Sequence, residues 1–81
     1  MTRKITIDRE IEPFGGDACD ELVGWIYVRE EDGTYVQAFL AEPDPSLDIV
    51  KLHTNARADE MAKFLDRLGF MVTVTELKIS V

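Results

Sequence analysis

Two side chains in this sequence, His53 and Cys19, belong to the types that serve as catalytic bases and nucleophiles. A general base must reach a nucleophile or a substrate by a hydrogen bond, and no neighbour of His53 in the sequence suggests such a partner. A reactive cysteine needs positive surroundings that favour its thiolate, whereas Cys19 follows Asp17 and precedes Asp20 and Glu21. We therefore interpret His53 as a surface or capping residue and Cys19 as a small loop or core residue. The sequence predicts no catalytic residue.

Candidate metal and phosphate ligands have unsuitable spacing. Asp44 and Asp48 lack the central glycine and the terminal glutamate of a calcium loop, and the prolines around them favour a rigid turn. Gly15 and Gly16 are not followed by a basic residue, which argues against a loop that cradles phosphate. One cysteine and one histidine cannot form a structural zinc site of the usual kind. The sequence predicts no metal site and no cofactor.

The net charge of −7 is unevenly distributed along the chain. Residues 8–48 contain twelve acidic side chains and two basic ones, a net charge of −10. Direct binding to nucleic acid or to an anionic membrane is disfavoured, because each neutralised phosphate needs a Lys or an Arg. The acidic excess has two interpretations. It keeps a small protein soluble, or its carboxylates imitate an array of phosphates and compete for a nucleic-acid-binding protein.

Residues 22–41 are predicted to form a long β-hairpin. Residues 22–29 and 34–41 are rich in the β-branched and aromatic types that suit strands, and Asp32-Gly33 is a strong turn signal. We expect a type I turn with Gly33 as a left-handed bulge residue. This turn would pair Ile26 with Ala38. Period-2 alternation then places one set of side chains on the first face (Leu22, Gly24, Ile26, Val28, Glu30, Thr34, Val36, Ala38 and Leu40) and another on the second (Val23, Trp25, Tyr27, Tyr35, Gln37 and Phe39).

Both predicted faces of this hairpin are apolar, although an antiparallel sheet with one wet face should alternate apolar and polar residues. A chain of 81 residues builds little more than one helix on one sheet. The second face, with its aromatic side chains, is therefore left without obvious cover. It is either core, covered by loop 13–21 or 42–54, or a contact surface for a second copy or another protein.

The clearest helix is predicted over residues 55–68, with Thr54 or Asn55 as its N-cap. Apolar residues recur there at helical spacing (Ala58, Met61, Ala62, Leu65 and Leu68), and Gly69 occupies the position of a C-terminal Schellman glycine. Residues 47–54 are ambiguous, and a short strand is favoured over an extended connector.

Two further strands complete the predicted fold. Residues 4–12 alternate, with Lys4, Asp8, Glu10 and other polar side chains on the outer face. The last strand starts near residue 71, and its apolar set changes parity around Glu76, which a β-bulge or burial of both faces at opposite ends would explain. The order β-β-β-(β)-α-β predicts a single α+β domain over residues 1–81, a small antiparallel sheet with one amphipathic helix packed on one face.

These features favour a small acidic protein-binding module without catalytic activity, which regulates or inhibits a partner. The most concrete version is an inhibitor of a nucleic-acid-binding machine of host or phage. The alternative is a homo-oligomer with a structural or assembly role that buries the aromatic face, and a small-molecule binder or enzyme is less favoured. No segment resembles a signal peptide or a membrane span, so we expect a cytoplasmic location. The predicted contact combines aromatic anchors (Trp25, Tyr27, Tyr35 and Phe39) with an acidic rim (Glu30, Glu31, Asp32, Glu42 and Asp44).

Overall fold

The computed structural model describes residues 2–14 and 21–80, which form one mixed four-stranded sheet and one long helix. The strands lie in the order β3-β2-β1-β4. β1 and β2 pair antiparallel, as do β2 and β3, whereas β4 pairs parallel with β1. The predicted α+β class with one helix on one face is therefore confirmed, although the sheet is not purely antiparallel. In chain order the elements are β1 (Lys4–Pro13), β2 (Leu22–Glu30), β3 (Tyr35–Leu40), α1 (Leu47–Arg67) and β4 (Met71–Ile79).

The helix carries the chain from one edge of the sheet to the other. β3 is one edge strand and β4 is the other, and both run in the direction of β1. Parallel strands cannot be joined by a tight turn, so a crossover is required. α1 crosses the sheet over β2, β1 and β4, and it does not lie against β3. In the described part of the chain, no helix combines the length and the apolar composition that crossing a bilayer requires.

The core lies between α1 and the sheet. Ile7 and Ile26 are fully buried beneath Ala58, because alternation directs both isoleucines to the same face. Further along the helix, Met61 and Leu65 are partly buried against this cluster.

Helix and sheet approach each other closely at Gly24 and Thr54. A Cβ atom added to Gly24 would lie 1.8 Å from Thr54 Oγ1, so only glycine fits at this position of β2. The Thr54 hydroxyl is fully buried and donates a hydrogen bond of 2.6 Å to the carbonyl of Val50, one turn earlier. The hydrogen-bonding requirement of this buried hydroxyl is therefore satisfied within the helix.

The helix begins eight residues earlier than predicted. Residues 47–54, for which a short strand was favoured, form its first two turns, and the predicted strand is wrong. Ser46 is the N-cap, and its Oγ accepts a hydrogen bond of 3.4 Å from the Ile49 amide. Val50, Thr54 and Ala58 form the buried stripe at a spacing of four residues. The prediction failed because Thr54 was interpreted as a cap, whereas it lies in the middle of the apolar stripe.

The C-terminal end of α1 is the Schellman motif that the sequence predicted. Gly69 has a φ of 96°, its amide donates to the Asp66 carbonyl at 3.0 Å, and the Phe70 amide donates to the Leu65 carbonyl at 3.1 Å. Leu68, predicted on the apolar stripe, is instead 60% exposed.

The predicted bulge in the last strand is also present. The register of β4 against β1 shifts between Ile7, which pairs with Val74, and Arg9, which pairs with Leu77. Thr75 and Glu76 therefore lie opposite the single residue Asp8. The Arg9 guanidinium lies at this bulge and donates through Nη2 to the Thr75 carbonyl at 2.6 Å.

Candidate functional site

The face of the sheet opposite α1 presents the candidate site, and we call it the open face. Its side chains are those that alternate with the buried isoleucines of β1 and with the helix-facing residues of β2. No described helix or strand packs across it, although Val23, at the end of this face beside Glu12, is buried. Its central members are Asp8, Glu10 and Glu12 from β1, Trp25, Tyr27 and Arg29 from β2, and Tyr35 from β3.

Three aromatic side chains form a continuous row on the open face. The rings of Trp25 and Tyr27 stack with their centroids 5.9 Å apart and an interplanar angle of 12°. Tyr27 and Tyr35 meet edge to face at 5.7 Å and 63°. Both arrangements are favourable for aromatic pairs. The row ends at Tyr35, which is 62% exposed. The structure thus brings together three of the four predicted aromatic anchors.

The fourth predicted anchor, Phe39, lies on the opposite face, so the predicted face of this residue is wrong. The predicted turn is present, because the Gly33 amide donates to the Glu30 carbonyl and the Glu30 amide donates to the Thr34 carbonyl. A second bulge then shifts the register between Val28 and Arg29, so that Ile26 pairs with Phe39 instead of Ala38. One extra residue exchanges the two faces of a strand. Phe39 consequently packs against the core beside Ile26.

A row of carboxylates runs beside the aromatic row. Asp8 pairs with Tyr27 and Glu10 with Trp25 in the register of β1 and β2. The Trp25 indole donates through Nε1 to Glu12 Oε1 at 2.6 Å, which fixes the ring plane. The sequence already placed these acids on one face of a strand. It did not indicate that β1 is central and adjacent to the aromatic strand, so their role at the site was missed.

Asp8 and Arg29 form the best-connected ion pair of the open face. Arg29 donates to Asp8 Oδ2 through Nε at 2.6 Å and to Oδ1 through Nη2 at 3.2 Å, and the Thr75 hydroxyl donates to Oδ1 at 2.9 Å. The hydrogen bond from Arg29, supported by that from Thr75, lowers the pKa of Asp8 although partial burial opposes this shift. Burial and the nearby charges of Glu10 and Glu12 raise the pKa of Tyr27. At neutral pH the open face therefore presents Asp8 as an ionised carboxylate and Tyr27 as a neutral phenol.

The predicted acidic rim is divided between the two ends of β3. Glu30, Glu31 and Asp32 lie at the hairpin turn, whereas Glu42 and Asp44 follow the other end of the strand. A strand of six residues spans about 20 Å, so the two groups do not form one array. Within the first group, Glu30 already forms an ion pair with Arg3. A hydrogen bond from the Thr34 amide lowers the pKa of Asp32.

His53, which was considered as a catalytic base, does not lie on the open face. His53 lies on α1, with Nδ1 3.2 Å from the carbonyl oxygen of Glu42. Within residues 2–14 and 21–80, no three potential metal-ligating side chains are clustered. Cys19, Gly15 and Gly16 fall outside the residues that the structure describes.

Comparison with known proteins adds no relative to this description. No family model, no curated protein and no solved structure matches the chain. The functional interpretation therefore rests on the geometry of the open face and of the strand at its edge.

Proposed function

We propose that this chain is a non-enzymatic protein-binding module that regulates or inhibits a partner by covering it with the open face. The observation that carries the proposal is the row of Trp25, Tyr27 and Tyr35 on a sheet face that α1 does not cover. Tryptophan and tyrosine are favoured at the centres of protein interfaces because they offer large rigid surfaces with a polar tip.

The anchors are held in place before any partner binds. Trp25 is fixed by Glu12 on one side and by the Tyr27 ring on the other. Side chains that are already ordered lose less entropy on binding, which favours affinity. Around the row, Asp8, Arg29 and Lys78 supply the polar surroundings that are typical of an interface rim.

Charge favours a basic partner. The net charge of −7 would attract a basic protein, and nucleic-acid-binding proteins are a large class of such partners. The acidic groups lie at separate ends of β3, so they do not form a continuous phosphate-like array. We propose that their charge attracts and orients the partner, and that the aromatic row is the main contact.

A small-molecule function receives less support from the same surface. The depression beside the aromatic row, lined by Tyr27, Tyr35 and Lys78 among others, has a volume of about 270 Å³ and is open to solvent. Pockets that enclose drug-sized ligands measure roughly 300–1,000 Å³ and bury most of the ligand.

The test compares wild type with a Trp25→Ala/Tyr27→Ala variant as bait in a lysate of the source organism. A protein retained by wild type is identified, purified and titrated against both forms. We expect the double variant to lose this binding while its circular dichroism spectrum stays unchanged. Phe64→Ala is the matched control, because it removes an aromatic ring that is 53% exposed on the helix, away from the open face. Equal binding by wild type and the double variant would refute the proposal.

A second candidate function is self-association through the aromatic face in a structural or assembly role. It is favoured by the exposure of Tyr35, Val36 and Leu40, which are 62%, 56% and 45% exposed on one strand. Light scattering over a range of concentrations tests it. A dimer that Tyr35→Ala dissociates would support this function, and a monomer at every concentration would exclude it.

A further inference from the structure

The outer edge of β3 is a pairing surface that the described chain does not use. β3 is an edge strand and pairs only with β2. The Ala41 amide donates to the Gly24 carbonyl, so the alternation of an antiparallel ladder directs the backbone groups of Phe39 toward β2. The same alternation directs the N–H and C=O groups of Ala38 and Leu40 away from the sheet. No described strand pairs with them.

The two edges of the sheet differ in their protection. Sheet edges are normally guarded by charges, prolines, bulges or a covering helix. Both edge strands have a bulge. β4 in addition carries Glu76 and Lys78 and lies under α1. β3 contains neither a charged residue nor a proline, and α1 does not lie against it. β3 is therefore the edge that remains open to another strand.

We propose that β3 receives an extended segment of another protein as a fifth strand, and that this segment has an uncharged β-branched or apolar centre with Lys or Arg at both ends. The proposal rests on the protein-binding function above and names the chemistry of the partner. An added strand would satisfy the outward backbone groups of Ala38 and Leu40, as in recognition by β-strand addition.

The basic ends follow from the charges that border β3. Glu31 and Asp32 lie just before the strand, and Glu42 and Asp44 lie just after it. A segment that spans β3 needs about six residues, which places its two ends beside the two acidic groups. The two acidic groups lie too far apart to form one phosphate-like array. Each group is instead complementary in charge to one basic end of an extended peptide.

The centre of the segment follows from the side chains on β3. Tyr35 and Leu40 lie on the open face at its border and are largely exposed. Alternate side chains of the added strand would pack beside them and extend the aromatic row. Apolar or β-branched residues suit such cross-strand contacts.

A second copy of this chain fits the edge poorly. Antiparallel pairing of two β3 strands would bring Glu31 and Asp32 of one protomer against Glu42 and Asp44 of the other. Parallel pairing would bring each acidic group against its own counterpart. Each orientation sets like charges together, and each chain carries −7 overall.

The experiment uses a synthetic peptide with alternating Val and Thr residues between two pairs of Lys, titrated against the whole chain by fluorescence anisotropy. A peptide with the same sequence and N-methyl groups on its pairing edge serves as the control, because it cannot form the ladder and leaves the protein unchanged. We expect the methylated peptide to bind at least about tenfold more weakly, a loss equal to one or two hydrogen bonds. Amide exchange of Ala38 and Leu40 should slow on binding, and affinity should fall as salt rises.

Variants of the protein locate the site. The Ala38 side chain lies on the open face opposite Tyr27, at the border where the added strand would pack. Ala38→Lys places a charge beside that strand and should weaken binding of the peptide, whereas Thr73→Lys on β4 should not. No binding of the unmethylated peptide, equal binding of both peptides, or slowed exchange in β4 instead of β3 would overturn the proposal. A wild-type dimer that Ala38→Lys dissociates would show that the occupant is a second copy, and this also overturns it.

The two proposals can fail separately. If a partner protein depends on Trp25 and Tyr27 but is unaffected by Ala38→Lys, strand addition is wrong and the open face remains the contact. If Ala38→Lys abolishes its binding and the aromatic variants do not, the edge is the contact and the role of the open face is wrong.

Discussion

On the helix side of the sheet, Ile7, Ile11 and Ile26 are fully buried, whereas on the open face Tyr35 keeps 62% of its surface exposed. The same strands supply both faces. The helix side is closed by shape, with Thr54 seated on Gly24. The open face is held by stacked rings, an ion pair and an indole hydrogen bond, all of which leave surface available.

This difference separates stability from recognition. Fully buried apolar groups dominate the free energy of folding, while polar contacts at a surface contribute little each. We therefore expect substitutions on the helix side to lower stability strongly. Substitutions on the open face should lower stability less and change binding more.

The largest effect is expected for Ile26→Ala. It leaves a cavity beneath α1 and should lower the free energy of unfolding by about 2–5 kcal/mol, as measured by urea denaturation. Val36→Ala is the control, because Val36 is 56% exposed and should change stability by less than about 0.5 kcal/mol. Similar losses for the two variants would mean that the helix side is not the core.

A second large effect is expected for Gly24→Ala. The added methyl group would overlap Thr54 Oγ1 and must push α1 away from β2, which should cost about 1–3 kcal/mol of unfolding free energy. A double-mutant cycle in urea tests the cause. Gly24→Ala should cost less in a Thr54→Ala background, because that change removes two of the three closest atoms. Additive effects would contradict a direct contact.

Local chemistry made several parts of this fold predictable from sequence. Gly33 and Gly69 adopt positive φ where a hairpin bulge and a Schellman motif require it, and both motifs were predicted. The bulge near Glu76 was visible as a change in apolar parity. The α+β class followed from the order of the elements. In each case the signal lies within a few neighbouring residues.

Long-range packing decided the parts that the sequence did not reveal. The bulge between Val28 and Arg29 has no turn residue to mark it, and because of that bulge Phe39 lies on the helix side of the sheet, against the core cluster. Thr54 looks like a helix cap, but its hydroxyl is satisfied by Val50 and its small size suits Gly24. The residues of β1 likewise do not predict that this strand lies between β2 and β4. It is this position that places Glu12 beside Trp25.

A moderate effect is expected for Trp25→Ala, although this substitution removes more atoms than Ile26→Ala next to it. Trp25 is only partly buried, and its replacement removes one ring stack and one hydrogen bond. The free energy of unfolding should therefore fall by about 1–2 kcal/mol. Trp25→Phe keeps a ring and should recover part of this loss. A loss larger than that of Ile26→Ala would show that the open face is a second core.

The smallest effect is expected for Asp8→Asn, and it should depend on pH. The hydrogen bond from Arg29 lowers the pKa of Asp8 in the folded chain below its ordinary value of 3.8. The unfolded chain therefore binds this proton more readily, and the ion pair stabilises the fold fully above pH 3.8. That contribution is lost as the pH falls through the lower folded-state pKa. Urea denaturation from neutral to acidic pH should show that Asp8→Asn is less stable than wild type at neutral pH, with a difference that shrinks in acid.

Asp59→Asn makes the same change in charge on the exposed side of α1 and serves as the control for this pH profile. Its difference from wild type should not follow the shape seen for Asp8→Asn. If the loss in Asp8→Asn persisted unchanged in acid, its cause would be packing or the hydrogen bond from Thr75, since a protonated Asp8 no longer pairs with Arg29 as an ion. Packing would then stabilise the open face, as it does the helix side. The two faces would differ only in how exposed their side chains are.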